Sequence, residues 1–281
     1  KNPSKKDYVK IKKGQKINFK KFVIKTSISN LYLIKAGCFN RSYSDRVRTF
    51  DWVALFDENP WLFKCFAMYL SKLYKFVLID SRTGITDIGG ICTMLMPSKL
   101  VVVFTPNRQS IDGVIEQSKE SVNYRIQSND PRPLVIFPLP SRIEGSEPGL
   151  KELWRNGSQE NPISGYQPRF ESLLSEIYRL DICSLDDYFE NVQIQHVPYY
   201  SYGEEIAALD EPTKDRLSLT KSYEYFAWRL VSFDSPWESL KIPSRIPSPP
   251  FDFVYVFSWL VLWLAFGDNP ILFVPMLPAP S

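Results

Sequence analysis

An α/β fold built on a mostly parallel sheet with helices on both faces is what the sequence predicts, from three observations. Short apolar runs without polar alternation, such as FVLI at 76–79, VVVF at 101–104 and LVIF at 134–137, read as strands covered on both faces. Stretches of helical character separate them, and that alternation favours parallel strands joined by helical crossovers. A chain of 281 residues with 44% hydrophobic side chains is long enough to bury a substantial core.

The elements follow in order. Leu31 to Lys35 is a short strand, followed by a loop with Gly37 and Tyr43. Two helices, about 47–56 and 61–73, are separated by Asn59-Pro60, because proline disfavours helix in the residue before it and suits a first helical turn. A strand ends at Asp80, and a loop and short helix run to Met96. A second strand covers 99–105, and a helix covers 110–126 with Ser110 as its cap. Strand 134–137, helix 168–180, strand 192–197 and an amphipathic helix 214–231 complete the pattern.

Charge is unevenly spread. The net charge is only +3, yet ten lysines crowd the first 25 residues with Asp7 the only acid among them. Residues 1–30 are expected to be a basic, weakly ordered segment, read either as a solvated stretch or as an arm for a polyanion such as nucleic acid. Those residues contain no apolar core of signal-peptide type, so secretion is not indicated. The four cysteines (Cys38, Cys65, Cys92 and Cys183) are widely spaced and read as reduced, which points to a cytoplasmic protein. His196 is the only histidine; a structural role is favoured over a catalytic one.

The functional signal is YKFVLIDSRTGITDIGG at 74–90, where a buried strand ends on Asp80 and breaks into a small-residue loop. Ligands of such sheets bind beyond the carboxyl ends of the strands, where Asp80, Asn107 and Ser141 all fall. An aspartate there can hold Mg²⁺ through water beside a phosphate, or it can simply close a turn.

VLIDSRTGITDIGG followed by VVVFTPNRQSIDGV resembles the Walker B and switch II region and next strand of the MinD/ParA family of P-loop ATPases. It is especially similar to a bacterial branch attached to signalling or conflict-type multidomain proteins. The matching pieces are Ala36-Gly37, Ser42-Tyr43-Ser44, Phe50-Asp51-Trp52, PLPSRIEG at 138–145 and VPYYSYGEE at 197–205, so the resemblance spans about 31–232. It implies a P-loop fold incomplete at its N-terminus, with ATP and Mg²⁺ as cofactors. Asp80 would serve the metal and, with Asp87, catalysis. Ser81, Arg82, Thr83 and Gly84 would sense the γ-phosphate; Asn107, Ser141 and Arg142 would border the nucleotide. Arg82 is open to reading as a surface or dimer contact, and Ser141-Arg142 as an ordinary turn. A homodimer around ATP and a protein partner of a signalling or conflict system are also implied.

The family's KGGVGKT-type phosphate loop has no counterpart among these residues. Lys13-Gly14-Gln15-Lys16 lacks both the following hydroxyl and a preceding apolar strand. The expectation is therefore a C-terminal part of such an ATPase, inactive alone, with exposed strand edges. The alternative is a non-catalytic regulatory or scaffold module of the same fold. Residues 233–252 read as a proline-rich linker and 253–281 as an apolar, proline-containing tail. Its run 253–266, about 14 residues, is short for a membrane-spanning helix and leaves two readings, peripheral membrane attachment or an irregular terminus.

Overall fold

A computed structural model of the chain describes residues 8–10, 16–34, 45, 49–81, 90–128, 130–158, 164–202, 206–210, 218–238, 253–257 and 271–275. Two compact units divide the chain: residues 1–99 with 249–259 and 268–281, and residues 100–248 with 260–267. The architecture is mixed α/β with a parallel sheet, as the apolar runs require.

The first unit opens with an antiparallel pair, β1 (Tyr8–Lys10) and β2 (Lys16–Asn18), where Val9 faces Ile17 in register. A short 3₁₀ turn at Phe19–Phe22 leads into β3 (Val23–Lys25), which pairs antiparallel with β4 (Leu31–Ile34). The connection is fixed locally: the Thr26 amide and hydroxyl both donate to the Leu31 carbonyl, at 3.2 and 2.9 Å. Asn30 takes the left-handed backbone, φ 59°, that asparagine tolerates better than most residues. Among the described residues of the basic segment 1–30 are three short strands. Between them Phe19 stacks on Phe66 at 4.3 Å between ring centroids and lies 5.9 Å from Tyr69.

Helix α1 (Trp52–Glu58) starts at Asp51, whose carboxylate accepts from the Ala54 amide at 2.8 Å. Helix α2 (Leu62–Ser71) buries Phe63, Ala67 and Leu70, one stripe at helical spacing. Then comes β5 (Phe76–Asp80), whose Phe76, Val77, Leu78 and Ile79 are buried while Asp80 is half-buried. A single π-helical turn covers Ile91–Leu95.

The sheet order in this unit is β3-β4-β9-β5-β8, with β8 (Phe253–Phe257) and β9 (Ile271–Pro275) drawn from the apolar tail. Both run parallel to β5 over its whole length: Phe76 faces Phe253 and Ile271, and Asp80 faces Phe257 and Pro275. On its other edge β9 pairs parallel with β4, Leu31 facing Ile271. Here the structure differs from the expectation of exposed strand edges and, over 253–257 and 271–275, from that of an irregular terminus. Two tail segments of strand-forming residues satisfy the backbone groups of β5 that would otherwise lack partners.

In the second unit β6 (Lys99–Phe104, all but its first residue) and β7 (Val135–Pro140) are neighbours. The Ser141 amide donates to the Phe104 carbonyl at 2.8 Å, so their carboxyl ends lie level and the strands run the same way. Residues 193–197 extend this edge: Ile194 donates to Pro140, Ile143 to Ile194, and His196 to Ile143. Only a single bridge, Ile143 with Gln195, forms where a full strand over 192–197 was expected.

Helix α3 (Arg108–Gln127) buries Ile111, Ser118, Ser121, Val122 and Arg125. Its cap is Asn107, not Ser110, because the Asn107 carboxamide oxygen accepts from the Ser110 amide at 2.9 Å. Helices α4 (Pro148–Asn156), α5 (Tyr166–Tyr178) and α6 (Asp186–Asn191) are locked by buried Arg155. It donates to Gln167 at 2.8 Å, Glu190 at 2.8 Å and the Asp186 carbonyl at 3.1 Å. Helix α4 ends at Gly157, φ 81°, a backbone that glycine adopts without strain. Two short helices, α7 (Pro198–Tyr202) and α8 (Ala207–Asp210), lead to α9 (Leu219–Ser232), capped by the Ser218 hydroxyl. The core between these elements is aromatic: Phe104, Tyr166, Phe170, Tyr188 and Phe189 make mutual edge or tilted contacts.

The loop joining α3 to β7 is held by charge. Asp130 accepts from the Arg132 side chain at 3.1, 3.0 and 2.6 Å and from its amide at 3.1 Å, while buried Arg125 donates to the Arg132 carbonyl. Burial would push Asp130 up, but the hydrogen bonds and charge of Arg132 outweigh it and bring the carboxyl down to about 2. Because the folded value is depressed, this stabilisation is present above about pH 4 and disappears as pH falls toward 2. Asp130→Asn is expected to cost about 1–2 kcal/mol at pH 7 in chemical denaturation, with the difference from wild type closing by pH 2. A pH-independent difference would contradict this account.

Candidate functional site

The sequence-derived site falls into two sets, one in each unit. In the first, Asp80 stands at the carboxyl end of β5 and Ser81 follows it, 9% exposed. The positions Arg82, Thr83, Gly84 and Asp87 lie outside the described residues, as do Ala36-Gly37 and Ser42-Tyr43-Ser44.

Behind the strand end sits Cys92, fully buried in the π-helical turn and hydrogen-bonded to Ser81. Burial first, and the nearby Asp80 charge in addition, push its thiol up to about 12, against a smaller opposing effect of the Ser81 hydrogen bond. Cys92 is therefore a neutral thiol at physiological pH and no nucleophile. Its contact with Ser81 was not foreseen from the sequence, because the two are eleven positions apart and neither belongs to a spacing motif.

In the second unit the residues after β6 and β7 form a hydrogen-bonded platform. Asn107 uses its carboxamide on both sides, accepting from the Ser110 amide and donating to the Thr105 hydroxyl at 2.5 Å. The Ser110 hydroxyl accepts from the Thr105 amide at 3.1 Å. These bonds give Asn107 a structural task at the head of α3. Ser141, half-buried, is tied to β6 through its amide, while exposed Arg142 adopts the left-handed backbone at φ 57°. Such a conformation is uncommon for arginine and reorients the chain sharply after β7.

Beyond that turn, Glu144 faces His196, Oε2 to Nδ1 at 3.5 Å, and accepts from the Ser146 amide and hydroxyl at 3.3 and 3.0 Å. The Ser146 amide and hydroxyl, followed by His196, hold the Glu144 carboxyl below its usual range. The lone histidine thus has a carboxylate partner. Only the fold supplies it, since Glu144 and His196 are 52 positions apart.

Chemically, the described part of the first set offers the Asp80 carboxylate at the end of a parallel strand. Among the described residues no group of three or more His, Cys, Asp or Glu could hold a metal ion. A single carboxylate fits the habit of Mg²⁺, which keeps most of its waters and takes the remaining oxygens from phosphate. No family model, curated protein or solved structure matches the chain.

Thiol labelling checks the packing behind Asp80. In native protein at pH 8, exposed Cys65 is expected to react with an aromatic disulfide within minutes, and Cys92 only after denaturant is added. Labelling of Cys92 at the rate of Cys65 would show that the strand end is open.

Proposed function

We propose that this chain carries the metal and switch half of a MinD/ParA-like P-loop ATPase domain, in which Mg²⁺ and ATP act as a dimerisation switch. The observation that carries the reading is the placement of Asp80. A buried strand with parallel neighbours on both edges delivers a half-buried carboxylate to its carboxyl end, where parallel sheets bind ligands. The IDSRTG sequence at 79–84 and the ordered matches along 31–232 supply the family resemblance.

In this reading Asp80 holds Mg²⁺ through water, and the metal would neutralise charge on the phosphates. Ser81, Arg82, Thr83 and Gly84 form the start of the segment that responds to the γ-phosphate, with Asp87 further along it. Asn107 shapes the head of α3 through both ends of its carboxamide and, with a second donor and acceptor position left, would border the nucleotide. Ser141 and Arg142 border the base. Catalysis of this type is positioning and charge stabilisation, and the 281 residues hold no glycine-rich loop to grip the phosphates, so the chain by itself is expected to be inactive.

A second reading, a non-catalytic regulatory or scaffold module of the same fold, is favoured by one observation. Both edges of β5 are already taken by β8 and β9, so no further strand can join it without displacing one of them. One titration separates the two readings. A version of the chain extended at its N-terminus by a KGG-type strand, loop and helix is expected to gain about 2–3 kcal/mol of stability at MgATP a hundredfold above its dissociation constant. Asp80→Ala should remove the magnesium-dependent part of that gain. Absence of any MgATP effect on the extended wild-type protein would leave the scaffold reading standing and remove the ATPase one.

A further inference from the structure

The C-terminal segment has a task that its composition hides. Residues 253–281 are apolar and, from Ile246 onward, contain no lysine or arginine, with Asp252 and Asp268 the only charges. A segment that binds membranes by electrostatics needs cations, and interfacial anchors usually carry them as well. No helix among the described residues is long and apolar enough to cross a membrane. Two stretches of the segment are instead strands, a conformation whose backbone groups lipid cannot satisfy. Those groups pair with the chain itself, β8 on one edge of β5 and β9 on the other, with β9 also closing the free edge of β4.

We propose that residues 246–281 are a built-in strand donor, held in the first unit by backbone pairing on both sides of β5 rather than by covalent continuity with 239–245, and that the fold of that unit depends on it. Three features carry this. The register is complete, with all five residues of β5 facing a partner in each tail strand. Pro275, which has no amide hydrogen to donate, stands level with Asp80 at the end of the ladder, where a strand is expected to stop. The sequence 239–252 carries prolines at 243, 247, 249 and 250, the composition of a tether. Such a tether keeps the donor at high effective concentration near its acceptor edges.

Hydrolysis within the tether tests the donor directly on the full chain. Lys241 and Arg245 are the last two basic residues, so brief trypsin treatment that cuts there leaves a C-terminal fragment with no further tryptic site. A protease-specific site placed between Arg245 and Ile246 confines the cut. The nicked protein is expected to keep its tail at one-to-one stoichiometry through size exclusion, and to release it only when denatured. As a second measurement, Val254→Pro and Phe273→Pro, each placing a proline inside a tail strand, are expected to lower Tm by about 5–10 °C, while Ser244→Pro in the tether leaves it unchanged. Release of the tail from a body that keeps its Tm would overturn the proposal, and so would flotation of the intact chain with liposomes through residues 246–281. None of these outcomes is read with nucleotide present, so a failure here is distinguishable from a failure of the MgATP titration.

Discussion

The pairing of β5 on both edges is the constraint on which the first unit rests. Five residues, four of them buried, cannot leave rows of amides and carbonyls without partners, because each unsatisfied buried group costs about 1–3 kcal/mol. Strands β8 and β9 meet that requirement from sequence nearly two hundred positions away. The long separation carries a loop-closure penalty that grows only slowly with length. Once paired, β5 becomes an interior strand, and its end presents Asp80 at a fixed height beside Phe257 and Pro275. The position of the carboxylate is thus a product of the tail as much as of the strand.

A neutral Cys92 thiol, buried and hydrogen-bonded to Ser81, packs behind the strand, so the charge nearest to it comes from Asp80. Burial forbids the thiolate, and a second anion beside Asp80 is avoided. A neutral Cys92 beside it leaves the Asp80 carboxylate suited to a hard cation, which is the chemical content of the proposed magnesium role. In the second unit charge is used differently: Arg132 with Asp130 and Arg155 with Glu190 are structural pairs that fasten loops and helices. The buried arginines donate to carbonyls and carboxamides as well, which is what makes their burial tolerable.

Much of this was legible in the sequence where the signal is local. Buried strands announced themselves as apolar runs, and β5, β6 and β7 appear within a few residues of their expected places. Helices α2, α3, α5 and α9 followed from periodicity, although the cap of α3 moved from Ser110 to Asn107 because either residue type can serve. Helix α4 was invisible: its Pro148-Gly149 start reads as a turn, and its anchor, Arg155, looks like a surface residue until Gln167 and Glu190 surround it. The tail failed for a different reason. FVYVFSWLVLWLAF is one apolar block without periodicity, and a block of that length does not declare whether it is strand, buried helix or membrane segment. Its partner strand is named only by the fold. For the site, the strand-end position of Asp80 was readable, whereas the Ser81–Cys92 contact and the Glu144–His196 pair arise from tertiary packing and leave no mark in spacing.

Amide hydrogen exchange on the intact chain, resolved over 76–80, 253–257 and 271–275, tests the two-sided pairing of β5 most directly. The account predicts that amides in all three segments exchange together, at least about a hundredfold slower than those of 239–252, because they open as one cooperative unit. Protection of 76–80 alongside exchange of 253–257 and 271–275 at the rate of the tether would contradict it.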